Sequence, residues 1–354
     1  MKKLVLAAAV LAMTAGSTLA ADMAVKAKAP PPAPFDPWDL AFGSAIMNDY
    51  IFRGVTQSNH KPSVAVYFEP RYNFTKDVQA YIGVAGESIS FPNRAAAEID
   101  VYGGIRPTIG MFAFDIGAWG YLYPGGQCFN AGAFPGSGIP GSEAQCILNG
   151  NLPNAAIAPP FFVPGNVAKR SASFYEVYGK VNVTINDQFA VGVNEYYSPN
   201  FLNLGAWGNY ASLTGKWTAP STTFGSSGVG MYISGEFGRQ WLGTSDAFYG
   251  VTQFAPFPNY TRGIPEPSYN TWNIGVGFTY KVFTLDVRYS DTNLSKAQCN
   301  AFTSDFSTTN ASPAFVTAIN PGTGPGGAAY GSNWCGATGI VKLSADLTAM
   351  SNLK

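Results

Sequence analysis

A period of two runs through most of this chain. From Glu98, the residues Ile99, Val101, Ile105 and Ile109 share one face, while Glu98, Asp100, Tyr102, Arg106 and Thr108 share the other. The pattern recurs from Tyr175, where Val177, Val181, Val183 and Ile185 alternate with Glu176, Tyr178, Lys180, Asn182 and Thr184. It recurs again at Phe283, Leu285, Val287 and Tyr289 against Thr284, Asp286, Arg288 and Ser290, and lastly at Val341, Leu343, Ala345 and Leu347 against Lys342, Ser344, Asp346 and Thr348. A helix would scatter each set around its circumference. A strand places every second side chain on the same face.

Turn residues between these segments divide the chain into about twelve strands, each long enough for a tilted membrane strand. They are expected near 39–54, 62–74, 78–90, 98–110, 112–124, 174–186, 189–199, 208–219, 229–242, 269–281, 283–294 and 336–349. Short connections fall at Thr75-Lys76-Asp77, Met111, Asn186-Asp187-Gln188 and Val282, and long ones at 125–173, 243–268 and 295–335. Short turns on one side and long loops on the other predict an all-β fold. It is a transmembrane antiparallel up-and-down β-barrel, with the turns periplasmic and the loops extracellular. A soluble propeller would repeat with a period of about 40 residues, and no such repeat is present. A soluble sandwich fits less well than a barrel, because Phe68, Tyr72 and Phe74 crowd a strand end in the manner of an interfacial aromatic girdle.

Composition agrees with this reading. Only 12% of the 354 residues are charged, half the share usual in a soluble protein, yet mean hydropathy is only +0.03. Alternating lipid-facing and lumen-facing positions reconcile the two values. The zero net charge argues against a nucleic-acid partner. Lys2 and Lys3, the apolar run from Leu4 to Met13 and the small residues up to Ala20 read as a secretory signal peptide over 1–20. A Pro/Ala-rich tail follows over 21–37, and the barrel occupies 38–354. These features imply a bacterial outer-membrane location, with membrane lipid and the barrel assembly machinery as partners.

Four cysteines suit an oxidising compartment. They allow three connectivities; the local one, Cys128–Cys146 and Cys299–Cys335, follows if each long loop closes on itself. There is no C-x-x-C, and the single histidine, His60, is distant from all four in sequence. No metal or cofactor site is therefore expected.

If the apolar faces meet lipid, the polar faces line the lumen. That set holds Asp49, Arg53, Glu69, Arg71, Glu87, Glu98, Asp100, Arg106, Asp115, Glu176, Lys180, Lys216, Glu236, Asp286, Arg288, Lys342 and Asp346. Two uses remain open for them: ion pairs that fill and stiffen the interior, or the lining of a water-filled path. Twelve strands lie between the size that side chains fill and the size that leaves an open channel. The Gly- and Pro-rich loop 125–173 is long enough to fold inward, though a solvated surface loop explains it equally. A catalytic reading would need His60 as a general base with Ser58 beside it, but no motif supports it, so no catalytic residue is assigned. His60 is expected to be a solvated turn residue.

The segment Phe42 to Pro62, FGSAIMNDYIFRGVTQSNHKP, carries a resemblance centred on Asp49-Tyr50, Phe52-Arg53-Gly54 and Gln57-Ser58. It resembles the N-terminal signature of the TorF porin family (Gcw_chp), as do Val78 to Glu87 and, more loosely, Tyr196-Tyr197-Ser198-Pro199. The resemblance implies an outer-membrane barrel with a transport role. The two long loops exceed those of the family. Asp49 and Arg53, at i and i+4, are expected on one inward face of the first strand, with Arg53 paired to Asp49 or to Glu69. Passive diffusion of small hydrophilic solutes through a narrow mixed-charge lumen is the expected function. A non-conducting barrel with partner-binding loops is the alternative, and a homo-oligomer fits by analogy with porins.

Overall fold

The computed structural model describes residues 37–352 apart from 92, 127–128, 131–166, 247–262, 264, 297 and 300–331. The expected signal peptide, most of the Pro/Ala-rich tail and most of the loop 125–173 lie outside the described residues, as do Cys128 and Cys146. Twelve strands form the wall: β1 (Trp38–Met47), β2 (Ser63–Thr75), β3 (Val78–Glu87), β4 (Glu98–Ile109), β5 (Phe112–Leu122), β6 (Phe174–Thr184), β7 (Phe189–Ser198), β8 (Gly208–Thr218), β9 (Val229–Leu242), β10 (Tyr269–Tyr280), β11 (Phe283–Thr292) and β12 (Thr338–Thr348). Each pairs antiparallel with its neighbours in the chain, and β12 pairs with β1 from Ala41↔Thr348 to Met47↔Lys342, closing the barrel.

Eleven strands depart from the expected spans by three residues at most. The first does not. It ends at Met47 instead of running to residue 54, and the chain then turns into the lumen. The connection 219–228, between β8 and β9, is also longer than the other turns at its end.

The outer wall is apolar along most of its length. Ile46, Val66, Ile82, Val101, Ile105, Ile116, Val193, Leu213, Ile274 and Val341 are all exposed on it. Exposed aromatic residues cluster at its two rims. Trp38, Phe74, Phe112, Phe189, Tyr280 and Phe283 ring the end that carries the short turns, and Tyr175, Tyr197, Trp207, Trp241 and Tyr289 ring the loop end. An apolar band between two aromatic girdles is the surface a bilayer requires. In water, so large a continuous apolar area would be an association surface.

The interior inverts this pattern. Glu69, Glu98, Asp100, Asp115, Glu176 and Asp286 are buried, among tyrosine rings that lie against the inner wall. Tyr102 stacks on Trp119 with centroids 4.0 Å apart, and Tyr121 stacks on Phe174 at 4.4 Å. Packing on this side is tight. A Cβ at Gly104 would lie 2.5 Å from the Ile116 carbonyl oxygen and 2.8 Å from the Tyr81 hydroxyl.

These positions separate the two faces of β4 experimentally. Ile105→Lys places a charge on the apolar band and should destabilise the barrel by about 2–4 kcal/mol, with Val101→Lys costing less if it lies further from the midplane. Gly104→Lys should also destabilise, by collision inside the barrel and not by exposure to lipid. Heat-modifiable gel mobility after folding into vesicles reads all three. Gly104→Lys folding as readily as the native chain would contradict the tight inner packing.

Candidate functional site

The segment 48–62 leaves the wall and folds into the barrel from the loop end. Ile51–Phe52 pairs with Val55–Thr56 in a two-residue hairpin. The turn residues Arg53 and Gly54 have φ of 48° and 79°, the type I′ geometry that matches strand twist and needs left-handed backbone at both positions. Gly54 is required a second time, because a Cβ there would lie 2.6 Å from the Thr271 hydroxyl oxygen on the barrel wall. A side chain at this position would push the hairpin out of its seat.

Arg53 is the anchor. Its Nη1 and Nη2 donate to Glu176 Oε1 and Oε2 at 2.8 and 2.7 Å, and Nη1 also donates to Gln240 at 2.9 Å. Both ionic side chains are completely buried. The guanidinium lies over Tyr210, Phe52 and Tyr196, at 4.4, 4.6 and 4.9 Å from their ring centroids. A planar bidentate cation among aromatic faces is the arrangement that arginine makes and lysine cannot. The expected pairing with Asp49 or Glu69 is thus corrected. The left-handed turn removes Arg53 from the β1 face and sends it across the lumen to β6.

Asp49 instead organises the hairpin's base. Its Oδ1 accepts from Thr56 at 2.6 Å and Ser58 at 3.0 Å, and its Oδ2 contacts His60 Nδ1 at 2.6 Å. His60 Nε2 lies 2.7 Å from the Asn333 carbonyl. Acceptors at both ring nitrogens favour the doubly protonated imidazolium, and the Asp49 hydrogen bond raises its pKa above the ordinary value. His60 is therefore an exposed turn residue that is tethered through both ring nitrogens. Ser58 bonds Asp49 and the Tyr50 amide instead of the imidazole, so the nucleophile–base contact of a hydrolase pair is absent here. The loop 293–337 also holds the hairpin. The Thr56 amide donates to the Trp334 carbonyl, Trp334 Nε1 donates to Asn59, and Val55 bridges Cys335, which is disulfide-bonded to Cys299.

The other expected lumen residues all face inward, and apart from Glu87, Glu98 and Asp100 they form two groups. In the first, Arg106 reaches Glu69 at 2.8 Å and Asp115 at 3.4 Å, Arg71 reaches Glu69 at 2.6 Å, and Tyr81 donates to Asp115. Lys180 lies over the Tyr178 ring. This group fills the β2–β7 side. In the second, Arg288 bonds Asp286, Asn273 and Ser234, Tyr210 donates to Glu236, and Lys216 lies over Tyr232. These residues border a cavity of about 210 Å³ with Lys342, Asp346 and the hairpin residues Asp49, Tyr50 and Arg53. The lumen is therefore packed on one side and hollow on the other.

Tyr50 and Glu87 are functional candidates whose roles the strand pattern did not reveal. Tyr50 donates to Glu98 at 2.7 Å, and Tyr123 donates to the other Glu98 oxygen at 3.0 Å. Glu87 lies directly across the β3–β4 ladder from Glu98, with Asp100 two residues further along the same face. Among the described residues, these three carboxylates form the one group that could hold a metal, their ligand atoms lying within 4.8 Å of one another. Counting register outward from the 88–97 connection would have revealed the Glu87–Glu98 pairing.

The apolar wall, the twin aromatic girdles and the charged, partly hollow interior define the class: a membrane-spanning β-barrel with an inward-folded hairpin. Residues 32–134 match a family model described as a bacterial protein of unknown function (Gcw_chp). That stretch contains the hairpin and the first five strands. No curated protein matches the chain. Among solved structures, the chain is similar to LpxR from Salmonella typhimurium at 9% identity, covering 87% of this chain and 99% of that one, with a TM-score of 0.37. It is also similar to an outer membrane channel from Pseudomonas putida F1 at 9% identity, 91% and 100% coverage and a TM-score of 0.36. A third similarity is to the NanC porin, at 8% identity, 88% and 100% coverage and a TM-score of 0.37.

Two outcomes follow from the hairpin's anchors. Arg53→Ala leaves Glu176 buried without its cation, and loss of one partner from a buried pair typically costs about 3–5 kcal/mol. The hairpin should become protease-sensitive while the barrel remains heat-modifiable; resistance equal to the native chain would remove Arg53 as the anchor. His60 gives a pH signature. Because its folded pKa is raised, its contribution is complete below the ordinary imidazole range, near 6.5, and is lost as pH rises through the higher folded value. Proteolysis at the hairpin should accelerate on that rise, and His60→Gln should abolish the dependence.

Proposed function

We propose that the chain is a bacterial outer-membrane porin-like barrel admitting small hydrophilic solutes along the hollow side of its lumen, with the 48–62 hairpin as its constriction. The observation that carries this reading is the mixed-charge cavity enclosed by an apolar wall. Lys216, Arg288 and Lys342 face Asp286, Glu236 and Asp346 around a space that side chains do not fill. A path lined by both signs lets an ion exchange hydration for side-chain contacts without binding tightly. On this reading the long loops are extracellular and residues 1–20 are the export signal. The TorF-family resemblance centred on the hairpin fits this reading.

A specific observation favours a second reading, a non-conducting structural barrel. The Arg53–Glu176 pair and the aromatic layer around it are buried, so in this conformation the hairpin occupies the loop end of the lumen. Planar-bilayer recording separates the two. The porin reading expects small single-channel steps from the native chain and severalfold larger ones from Arg53→Ala. Lys216→Glu combined with Lys342→Glu should shift the reversal potential toward cations. No steps from either the native chain or Arg53→Ala would leave the structural barrel as the reading to keep.

A further inference from the structure

We propose that Glu87, Glu98 and Asp100 bind one hard divalent cation, calcium being the best fit, at the edge of the luminal cavity, and that the ion pins the hairpin through Tyr50. The register places Glu87 directly opposite Glu98, and like charges facing each other across a ladder are destabilising. All three carboxylates are buried, with 4%, 1% and 2% of their surface exposed. None of the ion pairs among the described residues involves them.

Tyr50 and Tyr123 satisfy Glu98, but they do nothing for its two neighbours. Glu87 Oε2 and Asp100 Oδ1 are buried and accept no hydrogen bond among the described residues. Buried polar atoms are almost always partnered, and two orphaned carboxylate oxygens beside a third carboxylate are the donor set of a cation site. Carboxylate oxygens alone suit calcium, magnesium or manganese. Calcium is favoured because it accepts irregular, partly bidentate oxygen shells, with ligands about 2.3–2.6 Å from the ion. Oxygens within 4.8 Å of one another fit inside such a sphere. Magnesium demands near-ideal octahedral geometry and gives up water reluctantly.

Access and consequence also lie close at hand. Glu87 and Tyr50 both line the luminal cavity, so an ion can arrive from the water side without opening the wall. Glu98 joins the ion to the hairpin, since its carboxylate would take the cation on one side and the Tyr50 hydroxyl on the other. Binding therefore orders the segment that Arg53 anchors on the opposite side of the lumen. The site stands apart from the porin reading, because its binding readout does not depend on conductance.

Terbium luminescence tests the proposal. The chain, folded into lipid vesicles and washed with EDTA, is titrated with Tb³⁺ while tyrosine and tryptophan are excited; Tyr50 bonds Glu98 and Trp119 lies beside Asp100, so both can sensitise a bound ion. One saturable Tb³⁺ per chain, displaced by Ca²⁺, is expected. Glu87→Gln and Asp100→Asn should each weaken binding at least tenfold. Glu195→Gln, on the outer wall, should leave it unchanged. Both luminal variants remove a repelling charge and should fold without the ion at least as readily as the native chain, as read by heat-modifiable mobility. Non-saturable emission, emission that Ca²⁺ does not displace, or equal binding by the luminal variants would overturn the site and leave the three carboxylates to share protons. Should either luminal variant fail to fold, protease resistance of the hairpin in the native chain decides: a gain with one equivalent of Ca²⁺ supports the site, and no change overturns it.

Discussion

Closure of β12 onto β1 is the constraint on which the rest of this molecule depends. In a bilayer core no water is available for an unpaired backbone N–H or C=O, so a sheet survives there only without edges. The seven Cα pairs from Ala41↔Thr348 to Met47↔Lys342 remove the last two edges. Once the sheet is closed, each strand has one face toward lipid and one toward an enclosed space. The alternation of Val, Ile and Leu with Glu, Arg and Tyr follows from that division.

Enclosure creates the second problem, because charged side chains crowd into a volume that water reaches incompletely. The two sides of the lumen solve it differently. Between β2 and β7, Arg106 and Arg71 neutralise Glu69, and Tyr81 supports Asp115, so the interior becomes a solid polar core. Between β8 and β12 the charges border open space. The hairpin sits across this boundary, with Arg53 bonded to Glu176 on one side and to Gln240 on the other.

The hairpin's fixation is distributed. Asp49 gathers Thr56, Ser58 and His60 at the base, Arg53 locks the tip, and the disulfide-linked loop presses against its flank through Trp334 and Cys335. The contacts at the base are local, but those at the tip and flank join residues far apart in the chain, so the seated hairpin is a product of the closed barrel and has no reason to persist outside it. Glu87, Glu98 and Asp100 are the exception to the general neutralisation. Two unit charges 4.8 Å apart repel by roughly 3.5 kcal/mol at an effective dielectric near 20, and among the described residues no ion pair reaches them.

Sequence alone determined eleven of the twelve strands, the sense of their faces and most of the long and short connections, because the alternation of lipid and lumen is written locally at every second residue. The end of the first strand was not legible, since its residues continue the pattern past Met47. It also marked Arg53-Gly54 and Asp49 as belonging together within one motif. Tertiary structure decided where that motif goes. Arg53 finds Glu176 at 123 residues' separation, and Glu98 receives Tyr50 at 48. No periodicity records such partners, since they meet only after twelve strands have closed around a shared interior. The same reason hid the difference between the packed and hollow sides of the lumen: every inward charge has the same local pattern, and only the closed barrel assigns each one its neighbours.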